Sequence, residues 1–281
     1  MSNSRDRLKN SIPPAIWNAA RRSWYAVYRS AQWPAATFHP WRRTSIRELR
    51  EYKDIHRGER CFIIGNGPSL KKTDLRLLEN EFTIGMNRIY LMFPELGFTT
   101  TYYLSINDLV IEQCARDILS LQVPRFLSWR SREFIKKAIG EQEKLPQNPP
   151  LSFLHTTYTG PKFAQDARQR LWEGATVTYV AMQLAYHMGF QKTVLIGVDH
   201  SFSTKGRPNT TVVSQGDDPD HFDSNYFGKG FRWQLPDLDT SELAYQKARD
   251  YYAADNREIL DATIGGKLKV FPKVDYLSLF N

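Results

Sequence analysis

The chain is 281 residues long, 41% hydrophobic, and carries a net charge of +8 with only two cysteines. That length suits one large α/β domain with an appendage, or two small domains, and the apolar content is enough for a real core. Cys61 and Cys114 exclude a disulfide framework and fit a reducing setting. The charge is uneven: residues 1–50 hold ten Lys/Arg against two acids, Asp6 and Glu48, which accounts for the whole excess. The high isoelectric point therefore belongs to the N-terminal arm and says nothing about the rest. No apolar run is long enough to span a bilayer and there is no signal-peptide core, so the expected location is the cytoplasm, peripheral at the inner membrane.

The arm carries Trp17, Trp24, Trp33 and Trp41 with Tyr25 and Tyr28. Ile16, Ala20, Trp24, Val27 and Tyr28 fall on one helical face, with Arg21, Arg22 and Arg29 elsewhere around it. A basic helix with interfacial aromatics suits an anionic membrane surface as partner of residues 1–50. The plain alternative is a helix that packs its aromatic face on the body. Nucleic acid is not the expected partner. Ser45 to His56 reads as a polar helix, and Arg57-Gly58-Glu59-Arg60 leads into the first core strand. The expected division is a helical arm, 1–56, and one domain, 57–281.

Cys61 to Ile64 is a short apolar run of the kind a parallel sheet buries on both faces. Gly65 and Gly67 bracket Asn66, so the backbone can turn tightly and approach a ligand. Pro68 suits the first turn of a following helix, and such a helix N-terminus is a natural place for phosphate. Lys71 to Asn80 reads as a short helix with Leu75, Leu77 and Leu78 inward. Strands follow at Phe82 to Met86, ending at Asn87-Arg88, and at Thr101 to Ile106, ending at Asn107-Asp108. Leu109 to Leu121 is a helix, and Pro124 to Trp129 and Leu151 to His155 are further strands. Strands alternating with helices predict an α/β, Rossmann-like, mostly parallel sheet with helices on both faces.

Asn66, Asn87 and Asn107 thus stand at successive strand ends, where a doubly wound sheet opens its crevice. Their amides offer donors and acceptors suited to a base and a ribose. Each is equally a turn residue that tolerates left-handed backbone. Glu133 to Gln147 is a charged helix and linker. Thr176 to Met188 has the strongest helical period, with Gly189 as its stop and Thr176 and Thr178 at its N-terminus. Thr176 there is either a phosphate ligand or a plain N-cap. Thr193 to Val198 is a buried strand followed by Asp199 and His200. Asp199 could bind ribose, a metal or His200, and His200 is either a general base or a satisfied structural histidine.

Residues 203–239 form a long irregular stretch, lid-like and rich in aromatics. Its acids Asp217, Asp218, Asp220 and Asp223 could ligate Mg²⁺. Asp237-Leu238-Asp239 matches a DxD pattern, but Asp239 with Glu242 reads better as a helix cap. Leu243 to Ala254 is a helix. Ile259 to Thr263 and Lys267 to Phe271 flank Gly265-Gly266 as a turn or hairpin. The C-terminal tail packs back through Tyr276, Leu277 and Leu279.

Gly65-Asn66-Gly67-Pro68-Ser69-Leu70, then Met86-Asn87-Arg88, then Ile196-Gly197-Val198-Asp199 resemble the MptE-like family, whose named members are archaeal 6-hydroxymethylpterin diphosphokinases. The same order of motifs occurs in related bacterial sialyltransferases that use CMP-activated nonulosonic acids, and in flagellin glycosylation proteins. The resemblance implies a nucleotide held by Gly65, Asn66, Gly67, Ser69, Asn87, Asn107, Thr176 and Gly197. It also implies that the catalytic histidine and a phosphate-binding tyrosine come from the lid, with His221 and Tyr226 as candidates beside His200 and Asp199. Thr176-Val177-Thr178 departs from the Thr-Ser-Gly of the sialyltransferases. The expected activity is a glycosyltransferase moving a CMP-linked acidic sugar from a nucleotide-sugar donor to a glycan or lipid-linked acceptor, with no cofactor required. The alternative is a diphosphokinase acting on a pterin-like alcohol with ATP and Mg²⁺ held at Asp218 and Asp220.

Overall fold

The computed structural model describes residues 23, 27, 31–140, 145–158 and 160–281. Trp17, Trp24, Tyr25, Tyr28 and the arginines beside them, on which the membrane reading rests, lie outside the described residues. Among the described residues no helix is long and apolar enough to cross a membrane.

Eight strands form one parallel sheet: β1 (Arg60–Ile64), β2 (Phe82–Met86), β3 (Tyr102–Ser105), β4 (Arg125–Ser128), β5 (Leu151–Thr157), β6 (Arg170–Trp172), β7 (Lys192–Ile196) and β10 (Glu258–Asp261). Their spatial order is β10-β7-β1-β2-β3-β4-β5-β6, and β8 (Thr211–Val213) pairs antiparallel with β9 (Arg232–Gln234) in a small separate sheet. The central strands are apolar on both faces because both are covered. Cys61 and Ile63 face one core, and Phe62 and Ile64 the other. The first core is closed by α4 (Val177–Met188) and α5 (Leu238–Ala254), the second by α2 (Asp108–Ser120) and α3 (Arg132–Ile139). Burial pushes the Cys61 thiol up to about 12, so this cysteine is an inert strand residue.

Helix α1 (Pro40–Glu51) belongs to this body. Strand β6 pairs with β5 only from His155 to Thr157, which leaves the first half of β5 as an open edge. An uncovered edge of N–H and C=O groups is costly when buried and sticky when exposed. Here α1 covers it with side chains. Ser45 Oγ accepts the Phe153 N–H at 2.8 Å, and Ser152 Oγ donates to Glu48 at 2.5 Å. Trp41 stacks on Phe153 with ring centroids 5.9 Å apart, and Leu49 is fully buried. Arg42 also turns inward, to 1% exposure, although its charge reads from sequence as part of a solvated basic face.

Three local expectations are corrected. Residues 71–80 are not one helix but two 3-10 turns, Pro68–Lys72 and Leu75–Leu78. Thr73 between them is extended and the Asp74 carboxylate accepts the Arg76 N–H, restarting the chain in a new direction, so that Leu77 points outward. Of the turn or hairpin at Gly265-Gly266 only the turn forms, with the Gly266 N–H on Thr263 O at 3.2 Å: β10 joins the main sheet beside β7, and Asp261 receives Lys273 at 2.6 Å as the chain returns. In the tail Tyr276 is buried and Leu279 packs, while Leu277 is exposed. The lid is ordered. Phe222, Tyr226 and Phe227 are buried in the second core, and Gln113 of α2 exchanges two hydrogen bonds with the Arg232 backbone at 2.8 and 2.9 Å.

The loops after β1 and β7 touch so closely that glycine is required. A Cβ on Gly67 would overlap the Asp199 carboxylate, and one on Gly65 would meet the Gly197 carbonyl. Gly67→Ala should therefore cost about 2–4 kcal/mol through overpacking and loss of the contacts of Asp199. A lowered urea midpoint at unchanged slope would show it; a wild-type midpoint would refute the contact.

His155 lies 8% exposed on β5. Burial, with the guanidiniums of Arg170 and Arg42 nearby, pushes its pKa down from 6.5 to about 4. The unfolded chain takes up this proton near pH 6.5 and the folded chain only near pH 4. Stability from the neutral ring is thus complete above 6.5 and is lost as pH falls toward 4, by about 3 kcal/mol in all. Between pH 7 and pH 5, in phosphate-free buffer, the wild type should lose about 2 kcal/mol more than His155→Gln by urea denaturation. Equal losses would mean that this ring does not stay neutral in the fold.

Candidate active site

The strand order reverses between β1 and β7: from β1 the chain winds outward through β2 to β6, and from β7 it goes the other way to β10. Ligand crevices in open parallel sheets form at such a point, above the carboxyl ends. Two loops meet there, Gly65–Gly67 and Gly197–His200. The Gly65 N–H donates to Ile196 O at 2.8 Å and the Gly67 N–H to Gly197 O at 2.9 Å. Asp199 accepts the Ser69 hydroxyl at 2.7 Å and the Ser69 N–H at 3.2 Å. Burial raises the Asp199 pKa, and the two Ser69 bonds work against that rise. Both carboxylate oxygens of Asp199, and the hydroxyl of Ser69, are therefore spent on joining the two loops. Gly197, at φ +65°, packs under Leu70.

The three asparagines stand at the ends of β1, β2 and β3, but in different states. Asn66 donates Nδ2–H to Met86 O at 3.1 Å, and its Oδ1 is buried with no protein partner. Asn87 sits in left-handed backbone at φ 51°, and its Oδ1 accepts from Ser105 Oγ at 3.0 Å, which leaves its amino group uncommitted. Asn107 caps α2: its Oδ1 accepts the N–H groups of Leu109 and Val110 at 2.9 and 3.3 Å. The left-handed turn alternative thus holds for Asn87, whereas Asn107 keeps extended backbone at φ −78° and serves as an N-cap. Asn66 keeps a buried acceptor without a hydrogen-bond donor.

The lid brings a second set over the same loops. The Phe222 N–H donates to Asn66 O at 2.9 Å, which seats the neighbouring His221 at the crevice. His221 Nδ1 lies 2.8 Å from Asp218 Oδ2, and its ring stacks on Tyr226 at 4.0 Å and 4°. A carboxylate only accepts, so Nδ1 carries the proton and Nε2 of the neutral ring is an acceptor. Nε2 has no partner among the described residues. Asp218 also receives the Phe227 N–H at 3.2 Å. Tyr226 is 1% exposed; its hydroxyl accepts the Arg88 N–H at 3.2 Å, and the Arg88 guanidinium crosses its ring and donates to Tyr226 O. This tyrosine anchors the lid to the end of β2.

On the other wall Thr176 is the N-cap of α4, its Oγ1 accepting the Thr178 N–H at 3.2 Å with the Tyr245 hydroxyl 3.4 Å away. His200, at φ 55°, has Nε2 2.9 Å from Glu242 of α5. It belongs to the α4–α5 wall, and Asp199 does not touch it. Asp237, not Asp239, caps α5 by accepting the Thr240 N–H at 3.1 Å. The acids read as a Mg²⁺ alternative are engaged separately: Asp218 by His221, and Asp220 by Ser203 N–H at 2.6 Å and by Thr204. Among the described residues no three His, Cys, Asp or Glu side chains gather as a metal-binding group.

Sequence reasoning missed Arg130, two residues beyond the end of β4. It meets Glu173 beyond β6 and lies 3.3 Å from Asp108 beyond β3, so it braces three strand ends. The rule that singled out the asparagines, a polar residue at a strand's carboxyl end, would have found it. It also missed the Asp218–His221 pair, whose three-residue spacing becomes visible only in the folded lid.

A family model described as 6-hydroxymethylpterin diphosphokinase MptE-like matches residues 40–205. Among solved structures, the chain is similar to a MAf glycosyltransferase from Magnetospirillum magneticum AMB-1, at 12% identity and a TM-score of 0.46. That likeness covers 83% of this chain and 38% of the other, so the chain spans well under half the length of its structural neighbour. No curated protein matches. With more than half its length covered, from α1 through β7 and the crevice loops, the chain belongs to the MptE-like family.

Proposed function

We propose that the protein is a glycosyltransferase that moves a sugar, of the CMP-linked acidic class, from a nucleotide donor to a glycan or lipid-linked acceptor at the inner membrane face. One observation carries this reading: the His221–Asp218 pair, held above Asn66 at the switch point, with Nε2 unpartnered among the described residues. The nucleotide would lie across Gly65, Asn66, Gly67 and Gly197, with the Asn66 acceptor and the Asn87 amino group reading it. The unpaired N–H groups at the start of α4 would receive the phosphate, where the helix dipole favours negative charge. His221 Nε2 would take the acceptor hydroxyl proton as the oxygen bonds to the anomeric carbon. The bond from that carbon to the phosphate oxygen breaks with its electron pair, and Asp218 steadies the imidazolium. Trp33 and Phe38, edge to face at 5.9 Å and both exposed, fit an acceptor presented at a membrane surface.

The family description favours a second reading, a diphosphokinase for a pterin-like alcohol with ATP and Mg²⁺. It would need Asp218 and Asp220 to share a metal, and both carboxylates serve the lid's own folding.

Thermal shift with CMP, CDP, UDP, GDP and ATP, each with and without Mg²⁺, separates the two. A ligand at about 100 times its dissociation constant adds roughly 2.7 kcal/mol. The expected result is stabilisation by CMP without metal; stabilisation by ATP only with Mg²⁺ would replace the transferase by the kinase. In a transfer assay His221→Ala should lower kcat by about 10²–10⁴ with CMP affinity kept, while His200→Ala stays active. Equal activity in both variants would remove His221 as the base.

A further inference from the structure

At the outer edge of the sheet, three basic side chains meet without a counter-charge. Arg42 of α1 is 1% exposed. Its Nη2 donates to Arg168 O at 2.7 Å, but Nε and Nη1 are buried with no partner. His155 of β5 is paired in register with Arg170 of β6, whose Nε is likewise buried and unpartnered. The charges that act on the His155 ring are those of Arg170 and Arg42, both positive. Neither guanidinium forms an ion pair among the described residues. Burial alone pushes Arg42 down to about 10.

Arg125 and Arg130 also leave a buried Nε without a hydrogen bond, but among the described residues only Arg42 leaves a buried Nη open as well. Arg125, 2% exposed, places both Nη groups on carbonyls, Leu119 O at 2.7 Å and Pro149 O at 2.5 Å. Arg130 meets Glu173 and Asp108. Proteins rarely leave a buried charge unpaired, because its desolvation is then uncompensated. Arg42 Nη1–H, Arg170 Nε–H and an imidazole N–H can each donate to one oxygen of an oxyanion. Arg170 is half-buried and also lines a cavity of about 520 Å³ with Lys53, Gln169 and Trp172, a lining that Arg42 and His155 do not share. Asp166 at the same cavity is already held by Arg168 at 2.6 Å.

We propose that Arg42, His155 and Arg170 form an anion site that takes a phosphate group. It is separate from the nucleotide crevice: four strand spacings lie between β1 and β5, about 19 Å. The phosphate comes either from a small soluble phosphate or from a lipid headgroup, and the chemistry of the site is the same for both.

The test uses the full chain at constant ionic strength. Inorganic phosphate, titrated against chloride, should raise the melting temperature of the wild type saturably. Arg170→Gln should weaken that response about tenfold or more. Arg42→Met should abolish it while melting higher than wild type without phosphate, because an apolar side chain replaces an unpaired buried charge. Arg170 is half-exposed, so its variant keeps the test valid if Arg42→Met fails to fold. Co-sedimentation with phosphatidylcholine vesicles, with and without phosphatidic acid, distinguishes the sources. Binding to phosphatidic acid that Arg170→Gln removes assigns a lipid phosphate; a phosphate response without such binding assigns a soluble one. A phosphate response unchanged in both variants, or neither response in the wild type, overturns the site.

Discussion

The carboxylate of Asp199 and the hydroxyl and N–H of Ser69 hold together the two loops on which everything above the sheet rests. β1 and β7 are neighbours in space but far apart in sequence, and nothing covalent keeps their carboxyl ends in register. The side-chain bonds at 2.7 and 3.2 Å do so, with backbone bonds from Gly65 and Gly67. The cost is a carboxylate drawn out of water, visible as its raised pKa, offset by two donors rather than by a cation. Glycine at 65, 67 and 197 follows from this closeness, since a side chain at any of them meets backbone, the carboxylate or Leu70. A Gly-Asn-Gly turn therefore reports first on loop contact and only second on a ligand.

This changes what the sequence pattern meant. The alternation of apolar runs and helical periods made β1, β2 and α4 legible almost to the residue, because those elements are buried on every side and their composition has one purpose. The 3-10 turns after Pro68 and the edge position of β10 were not legible. The first turns on a local signal that the apolar pattern hid, Asp74 capping at Arg76, and the second on the distant pairing of β10 with β7. At the site the residues were found but several roles moved. Asn107 and Thr176 have side chains whose short reach suits capping and ligand binding equally. Asp199, Ser69 and Tyr226 have polar atoms already taken by the protein. Only the folded lid could show that His221 has a carboxylate behind it and an open nitrogen in front.

The lid itself is held by apolar burial and by Arg88. That arginine lies at the end of β2, next to Asn87, and crosses the rings of Tyr226 and Phe231 while donating to the lid backbone. A guanidinium used this way couples the strand end that bears Asn87 to the segment that bears His221. The candidate base and the candidate nucleotide contact are thus parts of one packed unit rather than of a rigid floor and a loose flap.

Over Pro40–Glu51 the boundary that charge draws between arm and body does not hold in the fold. The excess of basic residues in 1–50 reads as one electrostatic surface, yet Arg42 from that stretch is among the most buried side chains of the fold, and Trp41 beside it stacks on β5. Helix α1 replaces β6 along the lower half of β5, and it does so with Ser45 and Glu48 as hydrogen-bonding partners for that edge. A helix recruited to close an edge must bring its inward face with it, whatever charge that face carries. Arg42 is then either a cost the fold tolerates or a donor kept for an anion. The neighbours favour the second, because a merely tolerated charge would be expected beside a carboxylate, not beside a second guanidinium, Arg170, and a neutral imidazole, His155.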